Sequence, residues 1–501
     1  VYDEVVGVTD QPRDRPRDDP ILGVSGEVSF GVDPLEQARD LRHCVHQPGV
    51  KHFLGLVQSV RIERVELGFR LGHTRQLGLP VESPPGSGRP VTLGGPDRGH
   101  IYCVSAVLGT RMRTVDAAGL GIGDEHPPRI MGVLNVSKES PYDPSVFDDP
   151  GAAAAYVDEE LIGEGADIVD VGLESANKRF EVLSAEEELE RLDTAVETLE
   201  SVSGDAIFSI ETRYHEVAEA ALARGYDMVN DICGFADPEM PRVCAEHDVA
   251  VGKMASPPDL TRPGAVEDVD DIYDALGQNG FTDKTIVDPA FGGWSDDKTL
   301  ADDRETFRRL REFRGLGHPI LVSINRKNFL RDLAGRQTEA ALPVSLAATS
   351  MAVERGAHVI RTHDVAETRD AALIGAEFAG GRVREAGDIA VEELDVTTPR
   401  EAERHLDRVG AGDVAGADAV DAEAVSGDAV IDVFELDVLS DSDVGALSAA
   451  ASDAGVTVVP GAAAGSGGRS VLVFGTPRAL AELSVGTAGS DALETALATV
   501  R

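Results

Sequence analysis

From Arg129 onward the chain alternates short apolar runs with longer stretches in which apolar residues recur every three or four positions. Short continuous apolar runs suit strands buried on both faces, and the longer period suits helices packed on one side. The pattern predicts strands at Ile130–Val136, Ile168–Val171, Ile207–Ile210, Met228–Asp231, Val249–Lys253, Thr285–Val287, Ile320–Ser323 and Val359–Thr362. Helices are predicted to begin near Gly151, Ala185, His215, Pro238, Val266, Asp302, Glu339 and Ala366. Eight strand–helix units over about 250 residues give an α/β chain of the size of a (β/α)8 TIM barrel. The competing architecture is a doubly wound open sheet. Its first strand often leads into a glycine-rich dinucleotide loop, whereas Asn135–Val136–Ser137–Lys138 stands here.

After Ala379–Gly381 this pattern stops. Strands are predicted at Ala390–Val396, Ile431–Val438, Val456–Val459 and Ser470–Gly475, and helices at Pro399–Val409, Asp441–Ala454, Pro477–Leu483 and Asp491–Thr499. They make a small C-terminal α/β module, with Gly461–Gly468 as a flexible turn and no metal or nucleophile constellation. Residues 1–111 show no sustained periodicity and carry Pro/Gly/Arg-rich runs at Gln11–Pro20 and Ser83–Gly95. They are expected to be a poorly structured extension or a mis-assigned start, with the native protein opening at Met112. The expected organisation is therefore extension 1–111, barrel 112–380 and accessory module 381–501.

Charge adds a second boundary at the same place. The chain has 46 Lys+Arg against 89 Asp+Glu, a net charge of -43, yet residues 1–111 carry 13 basic and 14 acidic side chains. The excess acid thus lies after position 111. So acidic a surface excludes unaided binding to a nucleic-acid backbone. A hydrophobic content of 42% excludes a disordered acidic chain, and no run approaches the roughly 20 apolar residues of a membrane span. Four widely spaced cysteines fit a reducing cytoplasm. The lysine-poor, acidic composition points to a salt-rich cytoplasm, where carboxylates keep the surface hydrated and salt screens their repulsion; an acidic mesophile is the alternative.

Barrel chemistry sits at the carboxyl ends of strands. Here those ends carry Asn135, Asp170, Glu174, Glu211, Asn230, Asp231, Asp288, Asn325–Arg326–Lys327 and Arg361–Thr362–His363–Asp364. So many polar ends on one rim are more than solvated caps. Of only seven lysines, five (Lys138, Lys178, Lys253, Lys298 and Lys327) fall at or soon after predicted strand ends. That placement predicts a cationic funnel for a polyanion such as a diphosphate.

These motifs resemble the dihydropteroate synthases of the pterin-binding barrel superfamily. The resemblance runs through Ile130–Val136, Gly165–Ser175, Ser209–Thr212, Val229–Ile232, Val287–Pro289, Arg326–Phe329 and Arg361–Val365, in the family's order, over about residues 128–378. It implies transfer of a 7,8-dihydropterin-6-ylmethyl group from its diphosphate to 4-aminobenzoate, with release of pyrophosphate and with Mg2+ as cofactor. It also implies a homodimer in the cytoplasm. Asp288 matches the pterin-anchoring carboxylate, whose two oxygens suit the ring's amidine-like edge. Asn230 matches the residue that reads the remaining ring donors and acceptors. Glu211 stands where the family usually has Asp, and Lys327 matches the lysine on the pterin carbonyl or ring nitrogen. Arg361 and His363 match the diphosphate site, and with Lys327 are the implied catalytic residues. Asn135 matches the residue near diphosphate and metal. Ser137, Ser175, Lys178 and Arg326 fall in the loops and strand ends about the aminobenzoate pocket.

Several loops depart from the family pattern. Ser137–Lys138–Glu139–Ser140–Pro141 and Ser175–Ala176–Asn177–Lys178–Arg179 replace its first two loop sequences, and Ala290–Phe291–Gly292–Gly293–Trp294 replaces a third. Two other functions therefore compete: a pterin-dependent methyltransferase and a non-catalytic pterin-binding paralogue. The first would have no use for Arg326, Lys327, Arg361 and His363 together.

Overall fold

The computed structural model describes residues 112–500, except 138–144, 175–181, 261–262, 293–296, 387–388, 412–420 and 464–467. The expected extension 1–111 lies wholly outside the described residues. A hairpin of β1 (Val115–Ala117) and β2 (Leu120–Ile122) comes first. Eight parallel strands follow: β3 (Arg129–Asn135), β4 (Ile168–Gly172), β5 (Ile207–Thr212), β6 (Met228–Asp231), β7 (Ala250–Met254), β8 (Thr285–Asp288), β9 (Ile320–Val322) and β10 (Ala357–Thr362). They close in sequence order, with β10 pairing back onto β3. The barrel read from the periodicity is thus the observed fold.

The helices between them are α1 (Pro150–Tyr156), α2 (Ala185–Ser201), α3 (His215–Leu222), α4 (Met240–Glu246), α5 (Val269–Gly277), α6 (Leu300–Arg308), α7 (Asn328–Ala334), α8 (Leu342–Glu354) and α9 (Val365–Phe378). Their starts follow local capping. Ser184 with Glu187 and Thr299 with Asp302 form capping boxes, and Asp268 accepts from the Asp270 amide. That last cap explains why α5 begins at Val269 rather than near Val266. Between β9 and β10 the sequence pattern showed one helix, but two form, because Gly335 takes a left-handed conformation that ends α7.

Alternation along the strands builds the interior in layers. The lowest layer is apolar: Met131, Ile168, Met228, Ala250, Ile286, Leu321 and Val359 point inward, joined by Ile207. The β1–β2 hairpin covers this end with Val115, Ala117 and Ile122. A larger core lies between the strands and the surrounding helices. Beneath the barrel, Asp124 is held by both Arg314 nitrogens at 3.0 Å and by His358 Nε2 at 3.1 Å.

Beyond α9 come the hairpin β11 (Val383–Ala386) and β12 (Ile389–Glu392), then α10 (Pro399–Arg408) and α11 (Ala422–Ser426). The strand expected at Ala390–Val396 is the second arm of that hairpin. This stretch packs on the barrel: Glu392 accepts from Met112 N at 3.2 Å and pairs with Arg314 at 3.2 Å. An antiparallel sheet in the order β13 (Asp432–Leu439), β15 (Arg469–Gly475), β14 (Thr457–Ala463) follows. With α12 (Asp441–Ala454), α13 (Pro477–Glu482) and α14 (Asp491–Leu497) it forms a separate core around Leu447, Val473, Leu480 and Leu497. Among the described residues no helix is long and apolar enough to cross a membrane.

Candidate active site

Two residues up from the apolar layer, the inward positions turn polar on six of the eight strands: Asp170, Ser209, Asn230, Asp288, Ser323 and Arg361. One cavity opens there, lined by Glu211, Asn230, Ile232, Met254, Gly264, Asp288, Ala290, Phe291, Ser323, Lys327 and Arg361. The structure thus brings together five of the expected site residues: Glu211, Asn230, Asp288, Lys327 and Arg361. Ile232, Met254 and Phe291 give the cavity apolar walls among the polar groups.

Asp288 accepts from the Ala290 amide at 2.8 Å and is nearly inaccessible. Burial pushes its carboxyl up to about 6, although that amide, Lys327, Arg361 and Lys298 pull the other way. Burial likewise holds the Lys327 ammonium below its ordinary value, opposed by Asp288. The Arg361 guanidinium donates through Nε to Asp170 at 2.7 Å and through Nη2 to Glu211 at 2.6 Å. Burial raises Glu211, and Arg361 opposes the rise. Asn230 donates to Asp170 at 3.0 Å.

His363 follows Arg361 on the same rim. Burial, with the positive charges of Arg361, Lys327 and Arg326 around it, lowers its imidazole to about 3. Arg326 grips Asp364 with Nε at 2.8 Å and Nη2 at 2.7 Å, and donates to Thr338 O at 2.8 Å. Its fork is turned to Asp364, which also accepts from Asn325 at 2.9 Å. Asn135 donates from Nδ2 to Ser145 Oγ at 2.9 Å. Ser137 Oγ is buried with no hydrogen-bond partner. Ser175, Lys178, Lys138 and Trp294 lie outside the described residues.

The expected lysine funnel needs correcting. Lys253 Nζ donates to the carbonyls of Leu276 at 2.9 Å, Gln278 at 2.5 Å and Gly280 at 2.8 Å, and lies over Phe235 and Phe281. Lys298 Nζ donates to Ala290 O at 2.7 Å beside Asp303, wholly buried. Both ammonium groups satisfy buried carbonyls, a role that proximity to a strand end could not distinguish from ligand binding. Among the described lysines after strand ends, only Lys327 lines the cavity. Asp231 likewise turns its own loop, accepting from Cys233 N at 2.8 Å and Phe235 N at 2.6 Å.

Two residues escaped the sequence reading. Arg213, with no exposed side-chain surface, pairs with Glu174 and donates to Leu260 O at 2.9 Å, tying the loop after β4 to that after β7. Glu188 on α2 is buried, accepts from Thr212 Oγ1 at 2.6 Å, and is pushed up to about 7 by burial. The one available signal was Arg213 beside Glu211–Thr212 at a strand end; a helix Glu gives none.

Residues 131–363 match the family model described as "Pterin binding enzyme". The chain is 34% identical over 268 residues to a probable bifunctional folylpolyglutamate synthase/dihydropteroate synthase of Haloferax volcanii, a match covering 50% of this chain and 31% of that protein. It is 31% identical over 242 residues to the dihydropteroate synthase of Bacillus subtilis, covering 47% of this chain and 83% of the relative. A solved dihydropteroate synthase from Thermus thermophilus, in complex with 4-aminobenzoate, aligns over 53% of this chain and 99% of its own at 29% identity, with a TM-score of 0.44. The chain therefore spans about a third of the Haloferax protein and most of the Bacillus one.

Proposed function

We infer that this chain, which belongs to the dihydropteroate synthase family, condenses a 7,8-dihydropterin-6-ylmethyl diphosphate with 4-aminobenzoate to give 7,8-dihydropteroate and pyrophosphate. The observation that carries this reading is one cavity at the carboxyl ends of the strands that brings Asp288, Asn230 and Lys327 together with a guanidinium, Arg361. A methyl donor without a diphosphate would give Arg361 no anion to meet.

The chemistry follows from these groups. Asp288 accepts from the amino and ring N–H groups of the pterin edge. Lys327 faces the ring carbonyl or nitrogen. Arg361, with the neutral His363 beside it, receives the diphosphate as the bond from methylene carbon to oxygen breaks and the electron pair leaves with oxygen. The amine nitrogen then bonds to the methylene carbon and loses a proton to solvent. Holding both reactants in one water-poor cavity supplies the rest of the acceleration.

Magnesium belongs to this proposal. Asn135, whose Nδ2 is committed to Ser145, keeps its Oδ1 as an acceptor, and Ser137 Oγ nearby in sequence has no partner. Two neutral oxygens fit a hard cation that takes its other ligands from phosphate and water. Asn135 would hold the ion, which when bound neutralises charge on the diphosphate. A salt-rich cytoplasm fits the acidic surface. A homodimer fits the exposed Met351, Leu373, Ile374 and Phe378 on α8 and α9.

The test is pyrophosphate release from the pterin diphosphate by residues 112–501 and by the full chain, in molar KCl, with and without 4-aminobenzoate. Amine-dependent release is expected. Folded protein that releases none refutes the reading, and release indifferent to the amine points to another acceptor.

A further inference from the structure

The turn after β8 holds a strained residue in place. Ala290 has a left-handed φ of 59°, a conformation that is unfavourable for alanine and free for glycine. Its amide donates to Asp288 at 2.8 Å, and its carbonyl accepts from Lys298 Nζ at 2.7 Å. Two residues on, the Gly292 amide donates to Asp303 Oδ1 on α6 at 3.1 Å. Lys298 and Asp303 lie 3.5 Å apart, with side chains 0% and 3% exposed. One buried ion pair thus grips the turn twice, at the Ala290 carbonyl and at the Gly292 amide. Between those grips Phe291 lines the cavity, stacked on Phe329 with ring centroids 5.8 Å apart. On its other side the turn closes against Lys327: a Cβ built on Gly292 would lie 3.2 Å from Lys327 Nζ. Burying two charges costs free energy, and neither charge lines the cavity itself. Without the grip on its carbonyl, Ala290 returns to a negative φ only by turning one of its two flanking peptides. Turning the first takes the amide from Asp288. Turning the second takes Phe291 out of the wall.

We propose that Lys298 and Asp303 are a positioning pair, which holds Ala290–Gly292 in its left-handed turn and so aims Asp288 and seats Phe291 for the ring of the ligand. That the ring is a pterin rests on the functional reading above; the hold on the turn does not. Both residues act through others: Lys298 through the Ala290 peptide, and Asp303 through Lys298 and the Gly292 amide. A binding carboxylate must be held close to its productive geometry by groups behind it, and here those groups are this pair.

The experiment titrates 6-hydroxymethyl-7,8-dihydropterin and, separately, inorganic pyrophosphate into variants of the full chain by calorimetry in molar KCl. Lys298→Met is made together with Asp303→Asn, so that no lone charge is left buried and the amide oxygen still accepts from Gly292. This double variant should bind the pterin roughly tenfold more weakly, the size of one hydrogen bond to a charged group, and pyrophosphate within about twofold of wild type. Adding Ala290→Gly lets the turn keep its conformation without the lysine, and should return pterin affinity to within about threefold of wild type. Ala290→Gly alone relieves the strain, so it should melt no lower than wild type. Hydrogen exchange reads the turn with no ligand: protection of the Ala290 and Gly292 amides should fall in the double variant and return with the glycine. A merely structural pair would weaken both ligands alike, and the glycine would restore neither affinity nor protection; either result overturns the inference. A lower melting temperature for Ala290→Gly alone, or amides protected equally in wild type and the double variant, overturns it too. Wild-type protein that binds no pterin, while these amides respond as expected, overturns the functional reading and leaves the hold on the turn standing.

Discussion

Glu211 Oε2 lies 2.6 Å from Arg361 Nη2, so an ion pair joins two side chains that line the same cavity. The family usually has Asp at this position, and the extra methylene of Glu gives the carboxylate its longer reach. An arriving diphosphate must compete with Glu211 for the guanidinium. Glu211→Gln removes that competitor. Binding of inorganic pyrophosphate should tighten by roughly 3- to 10-fold, the effect of about 1 kcal/mol in a partly buried pair, while the neutral pterin binds more weakly. Calorimetric titration of each ligand separately checks both directions. Unchanged pyrophosphate affinity would show that the pair opens freely.

Asp288 gives a prediction with a definite sign. Burial raises its carboxyl from an ordinary 3.8 to about 6. Between those values the folded protein holds a proton that the unfolded chain has released. Stability therefore falls as pH rises through this window, and the deficit is complete above it. Asp288→Asn should remove a cost of roughly 2–3 kcal/mol at pH 7 and almost none near pH 4. The variant should melt higher than wild type at pH 7, with the gap closing on acidification, and should lose pterin binding. Wild-type affinity for the pterin should decline below about pH 6, as the acceptor oxygens become protonated. Melting curves and titrations at both pH values measure these effects.

Much of this arrangement was legible in the sequence because the barrel imposes a simple rule. A strand buried on both faces is apolar throughout, so a polar residue inside it is conspicuous, and parity then assigns it to the interior. Asp170, Asn230, Asp288 and Arg361 all stand two residues beyond an inward apolar residue of the lowest layer. What the rule cannot see is what each head group meets. Lys253 and Lys327 both follow strand ends, yet one caps carbonyls and the other lines the cavity. Arg326 sits beside Lys327 in the motif but folds back onto Asp364, because its backbone takes a left-handed φ of 53°. Such distinctions depend on side-chain reach and on partners far along the chain.

Lys253 tests that distinction directly. Its ammonium satisfies three carbonyls around the end of α5, between the rings of Phe235 and Phe281. Burial pulls its pKa down to about 8. Lys253→Met keeps the length and apolar packing but strands the three carbonyls. A loss of about 2–4 kcal/mol is expected, since hydrogen bonds from a charged donor are the strong ones and their acceptors would remain buried. The Michaelis constants for both substrates should stay within about twofold, because the side chain does not line the cavity. A large rise in the constant for the pterin diphosphate, with stability intact, would return Lys253 to the funnel.

The attachment of α10 to the barrel depends on one carboxylate. Asp270 Oδ1 on α5 accepts from Arg309 at 3.0 Å, Arg400 at 2.8 Å and Arg404 at 2.6 Å. Burial of Asp270 opposes ionisation, but the hydrogen bonds from Arg400 and Arg309 outweigh it and hold the carboxyl at about 2. Arg404 also stacks 3.7 Å over the Tyr273 ring, and its Cβ comes so near Gly315 that any side chain there would collide. Asp270→Asn leaves three guanidinium groups around a neutral amide. Because Asp270 is nearly half exposed, solvent screening keeps the loss to about 1–2 kcal/mol despite the three partners. Gly315→Ala should act in the same direction by steric displacement. In both variants the amides of Pro399–Arg408 should exchange with deuterium faster while those of β3 to β10 keep their protection. Equal protection of α10 in wild type and both variants would show that the apolar contacts alone seat the helix, and that the shared carboxylate does not.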